Sequence, residues 1–276
     1  MRHPVVETVT TSYLDLVGTH APGLLEGLYL VGSVAMDDFQ LGGPLARRGP
    51  SGASSSDIDF IAITAEPVDH AAAAVLARVH RKLTRRHRRP YFDGLYLTWA
   101  ALSQNPSRLR RYAQAHEGRL TVGHHIAPSP VAWHELAHYG VTVHGPEPSS
   151  HAIWTDATVL ATWCQANVAD YWSRLPRRCQ RWTSLWSLAS LTSYVTTWAV
   201  LGVSRSHYTA TTGRLISKTG AGQYARETFA PEWHRVIDES LRIRTNSGAT
   251  SMYQEPFTRR HDTLRFVETV ARLTAS

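Results

Sequence analysis

The sequence predicts an α+β fold, in which a mixed β-sheet with flanking helices over residues 1–150 precedes a helical bundle over residues 151–276. Strand-like and helix-like patterns alternate through the first part. Near "HGPEPSS", residues 144–150, the composition changes, and long helical patterns rich in Trp, Leu and Thr replace the strand patterns. A chain of 276 residues has room for these two domains.

Local patterns predict each element of the first domain. Predicted strands are bounded by turn residues, and predicted helices place apolar residues three or four positions apart. In order, the elements are a helix over 4–18, a strand "LYLVGS" over 28–33, a Gly-, Pro- and Ser-rich loop over 41–56, a strand "DIDFIAIT" over 57–64, a basic helix over 71–87, a strand "YFDGLYLTW" over 91–99, further helices, and a short strand in "VTVHGP" over 141–146.

The composition is that of a globular protein. Hydrophobic residues make up 43% of the chain and charged residues 18%. The net charge of +7 favours an anionic partner, such as a nucleoside triphosphate or a nucleic acid. The two cysteines, Cys164 and Cys179, form no C-x-x-C pair, and no segment reaches the ~20 apolar residues of a membrane span. We therefore expect a cytoplasmic protein without a disulfide framework, a signal peptide or a membrane segment.

Three acidic residues and a Gly-Ser turn carry the strongest chemical signal. Asp57 and Asp59 are two positions apart on a strand and project from the same face, and Asp93 lies on a neighbouring strand. Crowded carboxylates repel one another unless a divalent cation lies between them, and their hard oxygens suit Mg²⁺. Gly32 allows close backbone approach to a phosphate, and Ser33 offers an N–H and a hydroxyl. The pattern predicts a metal-assisted phosphoryl-type site.

This G-S…D-x-D…D/E pattern resembles that of the polymerase-β-like nucleotidyltransferases. More closely, the chain resembles the aminoglycoside adenylyltransferases of the streptomycin/spectinomycin type. The segments "WHELAHYGVTVHGPEP" and "SHYTATTGRLISKTGAGQYARE" are similar to that family as well, so the resemblance covers nearly the whole chain.

The resemblance implies a role for each residue. Gly32–Ser33 would hold the phosphates of ATP, Asp57 and Asp59 would bind Mg²⁺, and Lys218 would reach the triphosphate from the helical domain. Asp93 takes the place of the carboxylate proposed as general base. The implied reaction transfers AMP from ATP to a hydroxyl of a small acceptor, by default an aminoglycoside or aminocyclitol antibiotic, and releases pyrophosphate. We expect a monomer with its ligands between the two domains.

Some departures and alternatives stay open. The family usually has Glu at the position of Asp93, which is one methylene shorter, so Asp93 is a base, a metal ligand or both. Arg47 and Arg48 lie in an unusually long loop; they either close over the triphosphate or, as we favour, remain solvated. The basic run "RRHRRP", residues 85–90, is a solvated helix end or an RNA contact. The rival functions are transfer to a tRNA, to a protein or to a non-aminoglycoside natural product, and a catalytically inactive nucleotide-binding module.

The motif "HELAHYGVTVH", residues 134–144, suggests a zinc protease. Ser129 as N-cap and Gly140 as stop instead predict a short helix followed by a strand, which separates His144 from His134. We therefore expect His134 and His138 to be a surface pair. In the helical half, the candidates for core residues or for a substrate platform, with the core favoured, are Trp182, Trp186 and Trp198. A cationic acceptor needs acids close to it, and the candidates are Asp156, Asp170, Glu227 and Glu239.

Overall fold

A six-stranded mixed sheet organises the first part of the chain. In this computed structural model the described residues are 3–41, 56–123, 128–180 and 185–275. They form two compact units: described residues up to Phe39 and from Ser56 to Thr155 belong to the first, and the other described residues belong to the second. The first unit holds the sheet, and the described residues of the second hold helices, so the predicted α+β class is confirmed.

The sheet has the strand order β5-β4-β3-β2-β1-β6. Strands β2 and β3 are parallel, and every other neighbouring pair is antiparallel. Because parallel strands start at the same edge, the first residues of β2 and β3 lie side by side. The strands are β1 (Leu25–Val31), β2 (Ile58–Thr64), β3 (Phe92–Leu97), β4 (Tyr112–His116), β5 (Arg119–Gly123) and β6 (Val141–His144).

Helices cover both faces of the sheet. Alternate residues of β2 enter different cores: Phe60 packs with the helices on one face, and Ile61 with those on the other. On the Phe60 side the core includes Tyr13 and Leu76. On the Ile61 side it includes Trp133. The helices are α1 (Pro4–His20), α2 (Gly32–Ala35), α3 (His70–Arg86), α4 (Trp99–Leu102) and α5 (Pro130–Tyr139).

The hairpin of β4 and β5 differs from the prediction. The sequence predicts helices between β3 and β6, whereas the structure has a short helix, α4, followed by this antiparallel hairpin. At its turn, Gly118 has φ +75°, and a Cβ there would lie 2.3 Å from Thr84 Oγ1 of α3. Only glycine allows the turn to approach α3 this closely.

The second unit is built around one long helix, α9. It packs against α6, α10, α11 and α12, and its buried residues, such as Val200 and Val203, form the centre of the helical core. A π-helical segment, Val168–Trp172, joins the first two helices. The helices are α6 (Ala157–Asn167), α7 (Ser173–Gln180), α8 (Leu185–Ala189), α9 (Ser193–Thr212), α10 (Lys218–Thr228), α11 (His234–Thr245) and α12 (Pro256–Ala275).

No helix in the described ranges combines the length and the apolar character that crossing a bilayer requires.

Candidate active site

The Gly-Ser turn lies at the carboxyl end of β1. Val31, the last residue of β1, pairs with Asp59 of β2, so Gly32 follows directly beside that acid. Gly32 has φ +62°, and a Cβ there would lie 2.4 Å from Asp59 Oδ2. Glycine is therefore required both by the backbone conformation and by the approach of the carboxylate. The Ser33 hydroxyl is buried and has no hydrogen-bond partner among the described residues, which is unusual for a buried polar atom.

Pairing of the parallel strands brings the acids together. Asp59 and Asp93 are directly opposite each other in the register of β2 and β3, so their side chains leave the same face. Asp57 comes immediately before β2, two positions from Asp59. The three acids predicted from the sequence therefore gather at one edge of the sheet, beside Gly32 and Ser33.

Asp93 is the buried member of the cluster, with 8% of the residue exposed. Its Oδ1 accepts a hydrogen bond from the Glu117 N–H at 2.9 Å, and its Oδ2 is 3.0 Å from His116 Nδ1. Burial, and next the charge of Asp57, raise the pKa of Asp93 to about 6, while His116 and the Glu117 N–H act in the opposite direction. The sequence reasoning missed His116 and Glu117, because they reach Asp93 only through the β4–β5 hairpin.

Asp57 faces a cation. Its Oδ1 is 3.8 Å from Arg89 Nη1 and 3.3 Å from the Tyr91 N–H. The Arg89 guanidinium stacks over the Tyr91 ring, with Cζ 4.0 Å from the ring centroid. Arg89 belongs to the basic run after α3, whose composition alone does not indicate a place in the site.

The acid cluster fits a hard divalent cation by its chemistry. Its donors are carboxylate oxygens, and the charge of Asp57 raises the pKa of Asp93, a repulsion that a cation would relieve. Within the described ranges, however, no group of three or more His, Cys, Asp or Glu side chains is arranged as a ready metal site. Metal binding by Asp57, Asp59 and Asp93 therefore stays a proposal.

The sequence also predicts nucleotide contacts by Lys218, Arg47 and Arg48. Lys218 is the first residue of α10 in the helical unit, where the preceding Ser217 caps the helix by accepting from the Gly220 N–H. Arg47 and Arg48 lie outside the described residues. The roles of all three toward the triphosphate remain predictions.

Among the described residues, the histidines of the H-E-x-x-H segment belong to no group of three or more possible metal ligands. Ser129 caps α5, Gly140 ends it, and His144 lies in β6 paired with Leu28, as expected. The expected surface pair is wrong in one respect, since His134 is buried and only His138 is exposed. Their ring centroids are 5.7 Å apart.

The candidate acids of the helical unit mostly serve its structure. Glu239, one of the four candidates, is fully buried and receives two hydrogen bonds from Arg242, so it is not available to a cationic acceptor. Asp156 caps α6, and Asp170 pairs with Arg174. Glu227 is exposed.

Of the candidate tryptophans in the helical unit, one packs against the core and one is exposed. Trp198 packs against the helical core, the alternative we favoured. Trp186 is 42% exposed, so the favoured core placement is wrong for this residue, and its other candidate role, in a substrate platform, stays a prediction. Trp182 lies outside the described residues.

Comparison with known proteins supports the resemblance. Residues 167–270 match the family model of the aminoglycoside adenylyltransferase C-terminal domain. This region belongs to that domain family. The chain is also similar to the solved structure of spectinomycin adenyltransferase AAD(9) from Enterococcus faecialis, determined with ATP and spectinomycin, at a TM-score of 0.62 and 14% sequence identity. That similarity covers 96% of this chain and 99% of the other. The comparison with curated proteins found no match.

The two matches agree with each other. The structural similarity shows the fold of both units, and the family model identifies the helical region. The family model, which covers residues 167–270, supports the predicted family and the predicted class of enzyme, a nucleotidyltransferase.

Proposed function

We propose that this protein is a Mg²⁺-dependent O-adenylyltransferase, which transfers AMP from ATP to a hydroxyl of an aminoglycoside or aminocyclitol antibiotic and releases pyrophosphate. The observation that carries the proposal is the gathering of Asp57, Asp59 and Asp93 beside Gly32–Ser33 in a chain whose helical region belongs to this family. The similar structure's ATP and spectinomycin support the same substrates.

The residues of the turn and the acids have distinct roles in this reaction. Asp57 and Asp59, with or without Asp93, would hold Mg²⁺, which neutralises triphosphate charge when bound. The Ser33 hydroxyl, buried without a partner, is a ready donor for a phosphate oxygen. Gly32 keeps the backbone close to Asp59 and leaves room for the nucleotide.

Asp93 is proposed to accept the proton of the acceptor hydroxyl on a carboxylate oxygen. The hydroxyl oxygen then bonds to the α-phosphorus as the bond from the α-phosphorus to the β-phosphate oxygen breaks and pyrophosphate leaves. A pKa of about 6 leaves Asp93 ionised at neutral pH yet closer to working pH than an ordinary carboxylate, which suits a general base. His116 and the Glu117 N–H orient the carboxylate during this step.

A pyrophosphate-release assay across a panel of aminoglycosides and aminocyclitols, with ATP and Mg²⁺, tests the proposal. We expect release with at least one antibiotic, and loss of it in Asp57→Asn and in Asp59→Asn while both variants stay folded. Asp15→Asn, which changes an exposed acid on α1, is the matched control and should keep full activity. Undiminished turnover in either site variant would exclude the metal role of that acid.

A macromolecular acceptor is the second candidate, because Arg85 and Arg86 in the last turn of α3 and Arg88 just after it are all exposed. The same assay with tRNA in place of the antibiotics, together with a salt-dependent gel shift, separates the two. Release with tRNA but with no antibiotic would favour this alternative.

A further inference from the structure

The placement of Arg89 is not explained by the roles proposed so far. Its Nη1 lies 3.8 Å from Asp57 Oδ1, which is an ion pair but too long for a hydrogen bond. No hydrogen bond of its side chain to another described residue is formed, although a guanidinium carries five N–H donors. About a third of the side chain, 31%, is exposed. The ion pair itself adds little folding stability, since a partly exposed pair of this length contributes little.

Stacking holds Arg89 in one orientation. The guanidinium lies 4.0 Å above the Tyr91 ring, and the Tyr91 N–H also contacts Asp57. A guanidinium stacked on a ring directs its N–H groups outward in its own plane. Nη1 lies on the side of Asp57, and the remaining donors have no acceptor among the described residues.

Phosphate oxygens are the acceptors that match this geometry. A cation held by Asp57 would carry the phosphates of the nucleotide, so their oxygens would come within a few ångströms of that carboxylate. Arg89 is within reach of the same position, and a planar guanidinium binds phosphate through two parallel hydrogen bonds. Negative charge accumulates on the pyrophosphate oxygens as the bond to the α-phosphorus breaks, and a fixed cation stabilises it.

We propose that Arg89 binds the β- and γ-phosphates of ATP and stabilises the pyrophosphate leaving group. The proposal rests on the proposed function and adds a specific phosphate-binding residue to it. Arg88 supplies an internal comparison, because it is the next residue along the chain, carries the same charge and is exposed.

Isothermal titration of the full-length protein with Mg²⁺ and a non-hydrolysable ATP analogue, and separately with AMP, tests the proposal. Arg89→Ala should weaken binding of the ATP analogue by roughly 10- to 100-fold, because it removes charge-assisted hydrogen bonds to the phosphates. It should change the affinity for AMP, which lacks the β- and γ-phosphates, by less than about twofold. Arg89→Lys should lose an intermediate amount, because an ammonium keeps the charge but not the paired donors. Arg88→Ala should leave both affinities within about twofold.

Several outcomes would overturn the role of Arg89. They are an unchanged affinity in Arg89→Ala, an equal loss in Arg88→Ala, or an equal loss for AMP and the ATP analogue. If thermal unfolding shows that Arg89→Ala is not folded, the ATP-specific loss in Arg89→Lys decides. Failure of the wild-type protein to bind the Mg²⁺–ATP analogue would refute the proposed function itself. If the wild-type protein transfers AMP, and Arg89→Ala and Arg88→Ala have the same affinity for the ATP analogue, only the role of Arg89 is refuted and the proposed function stands.

Discussion

Replacing Asp93 by Asn is expected to stabilise the metal-free protein and to inactivate it. In the folded protein the pKa of Asp93 is raised from 3.8 to about 6. A carboxyl whose pKa is raised by folding contributes stability that is fully present below the unfolded pKa and is lost as the pH rises through the folded pKa. At pH 8 the ionised Asp93 therefore opposes folding. A shift of about two units corresponds to about 3 kcal/mol, at 1.36 kcal/mol per unit.

The Asn side chain removes this charge and retains the contacts. Its oxygen can accept from the Glu117 N–H, and its amide can donate to His116 Nδ1 when that nitrogen is unprotonated. We expect Asp93→Asn to raise the free energy of unfolding by about 1–2 kcal/mol at pH 8 and by almost nothing at pH 4. The gain stays below the limit of about 3 kcal/mol because the groups around the wild-type carboxylate adjust to its charge. Urea unfolding with a chelator present, followed by tryptophan fluorescence, measures both.

Activity should change in the opposite direction. Loss of a general base lowers turnover by ~10²–10⁴-fold, so the stabilised variant should be nearly inactive in the pyrophosphate assay. A variant less stable than the wild type at pH 8, or a difference that does not depend on pH, would refute the reasoning about the charge of Asp93. Added Mg²⁺ should raise the stability of the wild type more than that of the variant.

Three further predictions follow from the same structure. Gly32→Ala places a Cβ 2.4 Å from Asp59 Oδ2 and should lower turnover by roughly 100-fold, whereas Gly23→Ala, with a similar φ but nothing within 4 Å, should keep it; equal activities would contradict this. Ser33→Ala removes a buried unpaired hydroxyl, so unfolding should show no loss of stability while calorimetry shows ATP bound roughly tenfold more weakly. Burial lowers the pKa of His80 to about 4, below its unfolded value of 6.5, so its contribution to stability is present above pH 6.5 and lost as the pH falls toward 4. His80→Leu should therefore remove up to about 3 kcal/mol of pH dependence from urea unfolding over that range, and an unchanged profile would count against it.

Local patterns were sufficient to predict the central strands and the acids on them. The segment "DIDFIAIT" matches β2, and the apolar run "LYLV" matches the end of β1. Most residues of both strands are buried, so the strands have the apolar pattern that a sequence shows directly. The parallel register of Asp59 with Asp93 then places those two acids together. These are short-range signals, and short-range signals are what a single sequence carries best.

The partners of these acids could not be predicted in the same way. The β4–β5 hairpin is short and only partly apolar, with "HEGR" at its turn, so its pairing depends on α3 and β3 rather than on its own pattern. In the sequence, Arg89 is one of several cations in a basic run. Its contact with Asp57 depends on the conformation of the segment between α3 and β3, which the composition of the run does not predict. The burial of Glu239 likewise depends on Arg242 and on the segment before α12, which fold around it.

The close approach of Gly118 to Thr84 makes the ionisation of Asp93 depend on a turn that lies outside the acid cluster. Any side chain at that glycine would push the hairpin tip away from α3, and the tip is what presents the Glu117 N–H and the His116 ring to Asp93. With Asp93 as the proposed base, a protein with another turn there would work at a different pH while keeping all three acids unchanged.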